Sequence, residues 1–145
     1  MLIEIRPSLD PELAALITAQ QRELADSGVL AGGRTFEPGD DVSYLVGAVN
    51  GRAVACGAWQ ALGPGAAELR RMYVRPAFRG RGLARQMIVA IEEEALAAGR
   101  SLLRLELAAG LSAAIALYQS SGYRQITPSA PGRVWFEKRL PALVQ

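Results

Sequence analysis

The stretch Ala66 to Ala98, AAELRRMYVRPAFRGRGLARQMIVAIEEEALAA, limits what this chain can fold into more than any other. Glu68 to Val74 reads as an alternating strand. A turn of glycines and arginines follows and opens straight into an amphipathic helix. That helix places Leu83, Met87, Ala90, Ile91 and Ala95 on one stripe, with Arg85, Gln86, Glu92 and Glu93 mostly elsewhere. Gly99 supplies its stop. Glycine lets a backbone approach a ligand closely, and a helix N-terminus presents unpaired N–H groups and a partial positive charge. Strand, turn and helix together predict a seat for a pyrophosphate.

The rest of the chain narrows the chemistry. Its 145 residues fit a single domain spanning the whole sequence. Half of them are hydrophobic and 21% charged, an ordinary soluble composition. A net charge of +2 gives no argument for nucleic acid or a membrane surface as partner. The start, MLIEIRPSLD, lacks the basic and apolar regions of a signal peptide, and no window approaches a membrane span, so a cytoplasmic location is expected. The single cysteine, Cys56, excludes an intrachain disulfide and the usual zinc spacings; within VACGAWQ it reads as a core residue. The absence of histidine removes Ser-His-Asp and Cys-His catalysis together with histidine metal sites, so no metal is expected. Acid–base chemistry falls to Glu, Asp, Lys, Tyr or water.

In chain order, Leu2 to Arg6 is a short strand stopped by Pro7. Leu13 to Ala25 has helical spacing at Leu13, Leu16, Ile17 and Leu24, starting near Asp10-Pro11 and ended by Gly28. LAGGRTFEPGDD, up to Asp41, reads as a loop or short helix whose Glu37, Asp40 and Asp41 are either a solvated cluster or an attraction for a cationic substrate. Val42 to Val49 and Arg52 to Leu62 are strands joined by Asn50-Gly51, the strongest short hairpin signal. Gly63-Pro64-Gly65 then leads into the Glu68 strand. After the long helix, Leu102 to Leu107 predicts a strand parallel to Glu68–Val74 through a right-handed crossover. Ser112 is read as the cap of a helix from Ala113 to Ser120, ended by Gly122. Tyr123 to Ile126 and Val134 to Arg139 are the last strands, around a Pro/Gly loop. This order predicts an α/β (α+β) fold, a mixed sheet flanked by helices.

The glycine turn alone does not name its ligand. Gly80-Arg81-Gly82 invites a dinucleotide reading, with Glu106 at a plausible distance for a ribose. Against this, Arg85 occupies the third glycine position, the turn follows a meander instead of a first strand, and no second βαβ half follows. A Walker A loop is excluded, since no Gly-Lys-Ser/Thr is present. Arg79-Gly80-Arg81-Gly82-Leu83-Ala84, however, matches the R/Q-x-x-G-x-G/A signature of the GNAT N-acetyltransferases, at that family's spacing after Met72-Tyr73-Val74 and Arg75-Pro76. Downstream, AIALYQSSGY (Ala114 to Tyr123) is similar to the family's A-I-x-L-Y-x-x-x-G-F/Y segment, and Trp135-Phe136-Glu137-Lys138 is a weaker third match. The resemblance covers Val42 to Leu140. The fold it implies is a mostly antiparallel central sheet of about six or seven strands with helices on both faces.

The resemblance further implies acetyl-CoA as cosubstrate and a primary amine as acceptor, on a small molecule, amino acid or peptide. Met72, Tyr73 and Val74 would offer strand backbone to the pantetheine arm. Arg79, Gly80, Arg81, Gly82, Leu83 and Ala84 would hold the pyrophosphate, with Arg75, Arg79, Arg81 and Arg85 as cationic support or as solvated side chains. Glu68 falls where family members often carry a general base; strict alternation would put it on the face of Met72 and Val74. Tyr118 falls on the tyrosine used near the sulfur. A free phenol near pKa 10 and a thiol near 8.5 make full proton transfer uphill by about 2 kcal/mol, so a hydrogen bond to the leaving sulfur is the expected role. The chain departs from the family at Leu111, where many members have Asn or Gln. Two alternatives stay open: a non-catalytic CoA-binding module, and an acyltransferase using another acyl-CoA. Exposed sheet edges in such folds also leave a homodimer open.

Overall fold

The computed structural model describes residues 1–28, 41–126 and 130–141. The elements are β1 (Leu2–Arg6), α1 (Pro11–Asp26), β2 (Val42–Val49), β3 (Arg52–Ala61), β4 (Ala66–Val74), α2 (Leu83–Ala97), β5 (Leu102–Ala108), α3 (Ser112–Ser120), β6 (Arg124–Ile126) and β7 (Arg133–Arg139), with a 3-10 turn at Pro76–Phe78. Seven strands form one sheet in the order β1-β2-β3-β4-β5-β7-β6. Among the described residues only β4 and β5 run parallel, joined through α2; the other pairings are antiparallel. Among the described residues, no helix is long and apolar enough to cross a membrane.

Local signals account for the boundaries. The Asp10 side chain accepts from the Leu13 N–H at 2.9 Å and Pro11 opens α1, so the first turn is capped and preset. Asn50 and Gly51 both take positive φ, 51° and 79°, which is the turn that matches the twist of two flanking strands. Ser112 is the first helical residue of α3 and not its cap. Leu111 holds that position, its carbonyl accepting from the Ile115 N–H, and no side chain caps the helix.

Each face of the sheet has its own core. On one, Met87, Ile88 and Ile91 of α2 pack with Leu45, Leu69, Leu103, Leu105 and Phe136. On the other, Leu13 and Leu16 of α1 pack with Tyr44, Val46, Cys56, Ala58 and Tyr73. Fully burying side chains of this size is worth about 1.5–3 kcal/mol each. The α2 stripe differs from the expected one in two places. Ile88 belongs to the core while Ala90 is half-buried, and Glu92, expected on the outer side, is buried. Tyr118 of α3 joins the α2-side core. Of the acidic trio, Glu37 and Asp40 lie outside the described residues, as do 127–129 of the Pro/Gly loop; Asp41 is exposed.

Candidate active site

The site is built where β4 and β5 part. They pair only at Ala66↔Leu102, Ala67↔Leu103 and Glu68↔Arg104, although both strands continue well beyond. Past that last rung the sheet opens into a fork with β4 on one side. On its other edge β4 carries a bulge. Ala58 pairs with Arg70 and Cys56 with Tyr73, so Arg71 and Met72 together oppose Gly57. Arg71 sits at φ 58°, left-handed backbone that non-glycine residues adopt rarely.

Side chains hold the bulge in place. The Cys56 thiol donates to the Arg71 carbonyl at 3.2 Å, and Gln20 Nε2 of α1 donates to the Met72 carbonyl at 2.9 Å. Cys56 is fully buried, and burial pushes its thiol up to about 12, so it stays protonated as a donor.

The extra residue also reverses the faces. Ala67 and Leu69 before the bulge share the α2-side core with Met72 and Val74 after it, while Tyr73 lies on the α1 side. Glu68 therefore stands on the face opposite Met72 and Val74, which corrects the expectation from strict alternation. It is 4% exposed, with Arg70 Nη1 at 3.8 Å from Oε2.

At the far end of β4, the Arg75 N–H donates to the Val54 carbonyl at 2.8 Å. That bond makes Ala55↔Val74 a non-hydrogen-bonded rung, so the N–H and C=O of Val74 point away from β3 into the fork. Arg79 Nε occupies the Val74 carbonyl at 2.8 Å, leaving the N–H facing the gap.

The turn that follows has the features of an anion seat. Gly80 and Gly82 take φ of 78° and 76°, and a side chain built on either would meet open space. Gly82 is the N-cap of α2, no side chain caps the helix, and no acidic residue stands in its first turn. The free N–H groups and the positive end of the helix are therefore open to an anion.

The arginines of the turn divide by role. Arg79 is a strut, with Nη2 at 2.7 Å from Glu23 of α1 and its guanidinium over the Tyr73 ring. Arg85 binds the Ser120 carbonyl and the Ser120 and Ser121 hydroxyls, tying α2 to the end of α3. Arg81 lies over Phe78 and is exposed beside the seat. Arg75 is half-buried, and its Nε has no hydrogen-bond partner.

Tyr118 is 4% exposed, its ring packed edge-on against Tyr123 at 5.5 Å between centroids. Burial pushes its phenol well above the ordinary tyrosine value, which keeps it a neutral donor. Behind it stands a network that the sequence reading did not foresee. The Tyr123 hydroxyl donates to Glu92 Oε2 at 2.8 Å, and Lys138 Nζ donates to the same oxygen at 3.0 Å and to the Ser121 carbonyl at 2.9 Å. Glu92 falls near the edge of the α2 stripe, and that was its only signal. The roles of Gln20 and Cys56 at the bulge had none.

A fork between two parallel strands, a bulged β4 and an anion seat at the next helix define an N-acetyltransferase when set beside known proteins. The model of the acetyltransferase (GNAT) domain matches residues 40–125. An IAA acetyltransferase of Azospirillum brasilense is 34% identical over 131 residues, covering 90% of this chain and 81% of that protein. A crystal structure from Klebsiella pneumoniae, assigned to the acyl-CoA N-acyltransferases, superposes with a TM-score of 0.81 at 32% identity and covers 96% of this chain and 97% of its own. A GNAT acetyltransferase of Elizabethkingia anophelis with acetyl-CoA bound shares the fold at a TM-score of 0.73 and 14% identity, covering 96% and 97%. This chain belongs to the GNAT acetyltransferase family.

Proposed function

We propose that the protein transfers the acetyl group of acetyl-CoA to a primary amine of a small molecule, amino acid or peptide by direct attack on the thioester. One observation carries this reading: the Val74 N–H faces the fork, and the path of the chain from there leads to the uncapped N-terminus of α2. A long thiol ester with a pyrophosphate at its far end fits such a path. Met72, Tyr73 and Val74 line the arm. The N–H groups of residues 80–84, with the exposed Arg81, take the phosphates, while Arg79 and Arg85 hold the turn in shape. The acetyl-CoA in the Elizabethkingia anophelis structure supports the choice of donor.

At the fork, Glu68 takes the proton of the incoming ammonium, directly or through water. The amine nitrogen then bonds to the thioester carbon, the C–S bond breaks, and the departing thiolate meets the Tyr118 hydroxyl. Glu68 also holds the ammonium in place until that proton leaves. In this reading two copies would pair at the β1 edge of the sheet, where Leu2 and Ile5 are more than half exposed. Light scattering should then give twice the chain mass, and a monomer at all concentrations would remove that part.

The direct test of function is free-thiol release from acetyl-CoA in the presence of a panel of amines, amino acids, polyamines, aminoglycosides and peptides. Acceptor-dependent release is expected. Binding of acetyl-CoA without release for any acceptor would favour a non-catalytic CoA-binding module, and release only from a longer acyl-CoA would change the donor.

A further inference from the structure

We propose that the acceptor carries a carboxylate next to its primary amine, and that Arg104 is the residue that reads it. This rests on the acetyltransferase reading above and names its substrate class. The last rung of the fork, Glu68↔Arg104, is part of a row that crosses the sheet, since Arg104 pairs with Glu137 and Glu137 with Arg124. These side chains share the face opposite α2, because their neighbours Leu103, Leu105 and Phe136 fill the α2-side core. α1 packs on β3 and β4. It leaves Arg104 and Arg124 open on this face, with side chains 40% and 82% exposed.

Among the described residues, the row and its neighbour Arg70 carry more guanidiniums than carboxylates. Glu137 serves two arginines, with Arg104 Nε at 3.4 Å and Arg124 Nη2 at 3.6 Å, while Arg70 stands 3.8 Å from Glu68. Among the described residues, three guanidiniums thus face two carboxylates. Arg104 Nε is buried beside Glu137 without a hydrogen bond, so Glu137 engages Arg104 only weakly, while the side chain as a whole stays 40% exposed. A guanidinium with spare donors is the natural partner of a carboxylate. Adjacent strands stand about 4.8 Å apart. An amino acid bridges that span with its nitrogen toward Glu68 and its carboxylate toward Arg104. A polyamine or aminoglycoside would bring further cations against Arg70 and Arg104.

The experiment measures thiol release from acetyl-CoA with three matched series built on alanine, leucine and phenylalanine. Each series contains the free amino acid, its carboxamide and its decarboxylated amine, with spermidine as a polycation control. Amine basicity rises from carboxamide to amino acid to simple amine, so a preference for the middle member cannot come from basicity. kcat/KM for the amino acid should exceed that of both analogues by tenfold or more in at least one series. Arg104→Gln should bring that ratio down toward one. Glu137→Gln, which keeps Arg104 and removes its competitor, should raise it. Release with amines but no carboxylate preference overturns this inference and leaves the acetyltransferase reading standing. A ratio unmoved by both variants overturns the role of Arg104. No release with any acceptor, while acetyl-CoA still binds, overturns the acetyltransferase reading and this inference with it.

Discussion

On the helix wheel Glu92 falls beside charged neighbours, yet it is buried and shared between the Tyr123 hydroxyl and the Lys138 ammonium. Truncating it would strand a phenol and a partly buried cation. Glu92→Ala should lower the free energy of unfolding by about 2–4 kcal/mol, measured by chemical denaturation. Tyr118, which packs on Tyr123, is reached indirectly by the same change. Tyr118→Phe keeps the packing and removes only the hydroxyl, so turnover should fall about 10- to 100-fold, equivalent to about 1.4–2.8 kcal/mol of barrier, with acetyl-CoA binding unchanged. Unchanged turnover would make Tyr118 purely a core residue. Because burial raises the Tyr118 phenol, no limb of the kcat profile below pH 10 should belong to it.

Cys56 gives a second pH dependence, and here the sign matters. Its folded value, about 12, lies above its ordinary 9.0, so its contribution to stability is complete below pH 9 and is lost as pH rises toward 12. The fall in stability over that window should be shallower in Cys56→Ala than in the parent. Parallel curves would contradict the burial argument. The core reading of Cys56 was legible from its apolar neighbours. Its bond to the Arg71 carbonyl was not, because a thiol's partner across the sheet is set by register and not by local pattern.

Among the elements, β4 shows most clearly what a sequence displays and what it hides. Its place, its parallel pairing with β5 and the helix that follows were all readable from alternation, glycine punctuation and the crossover rule. The bulge was not. Nothing in Leu69-Arg70-Arg71-Met72 marks an inserted residue, since Arg71 at positive φ is a position where glycine or asparagine would have been the usual sign. That single residue moved Glu68 to the opposite face from Met72 and Val74. The capping of α1 by Asp10 and the Asn50-Gly51 hairpin were legible because the side chain or backbone preference acts within a few residues. Arg79 and Arg85 show the same limit from the other side: as arginines near a phosphate seat they read alike, but their partners Glu23, Ser120 and Ser121 lie 35 or more positions away along the chain. In the turn itself, Gly82→Ala would force a β-carbon into left-handed backbone and should cost about 1 kcal/mol of stability, seen as a lower Tm.

For the whole molecule, the sheet is an antiparallel array opened at one parallel joint, with separate cores on its two faces. The joint leaves β4 backbone facing a gap, and the chain continues from β4 into the uncapped N-terminus of α2. The family and its fold were legible because the R-x-x-G-x-A turn and the A-I-x-L-Y segment stand in order along the chain. The charged row Glu68, Arg104, Glu137 and Arg124 comes from β4, β5, β7 and β6, so register alone assembles it. Central to all of this is the proposed seating of the acetyl-CoA pyrophosphate in the turn at Gly80–Gly82. Its most direct test is the melting temperature of the parent and of Gly82→Asp at rising acetyl-CoA concentration. Ligand at 100 times its Kd stabilises by about 2.7 kcal/mol, so the parent should melt several degrees higher. Gly82→Asp, which sets a carboxylate at the helix N-terminus where the phosphates would lie, should start lower and show no shift. An equal shift in both proteins, or none in the parent at millimolar ligand, would contradict the account.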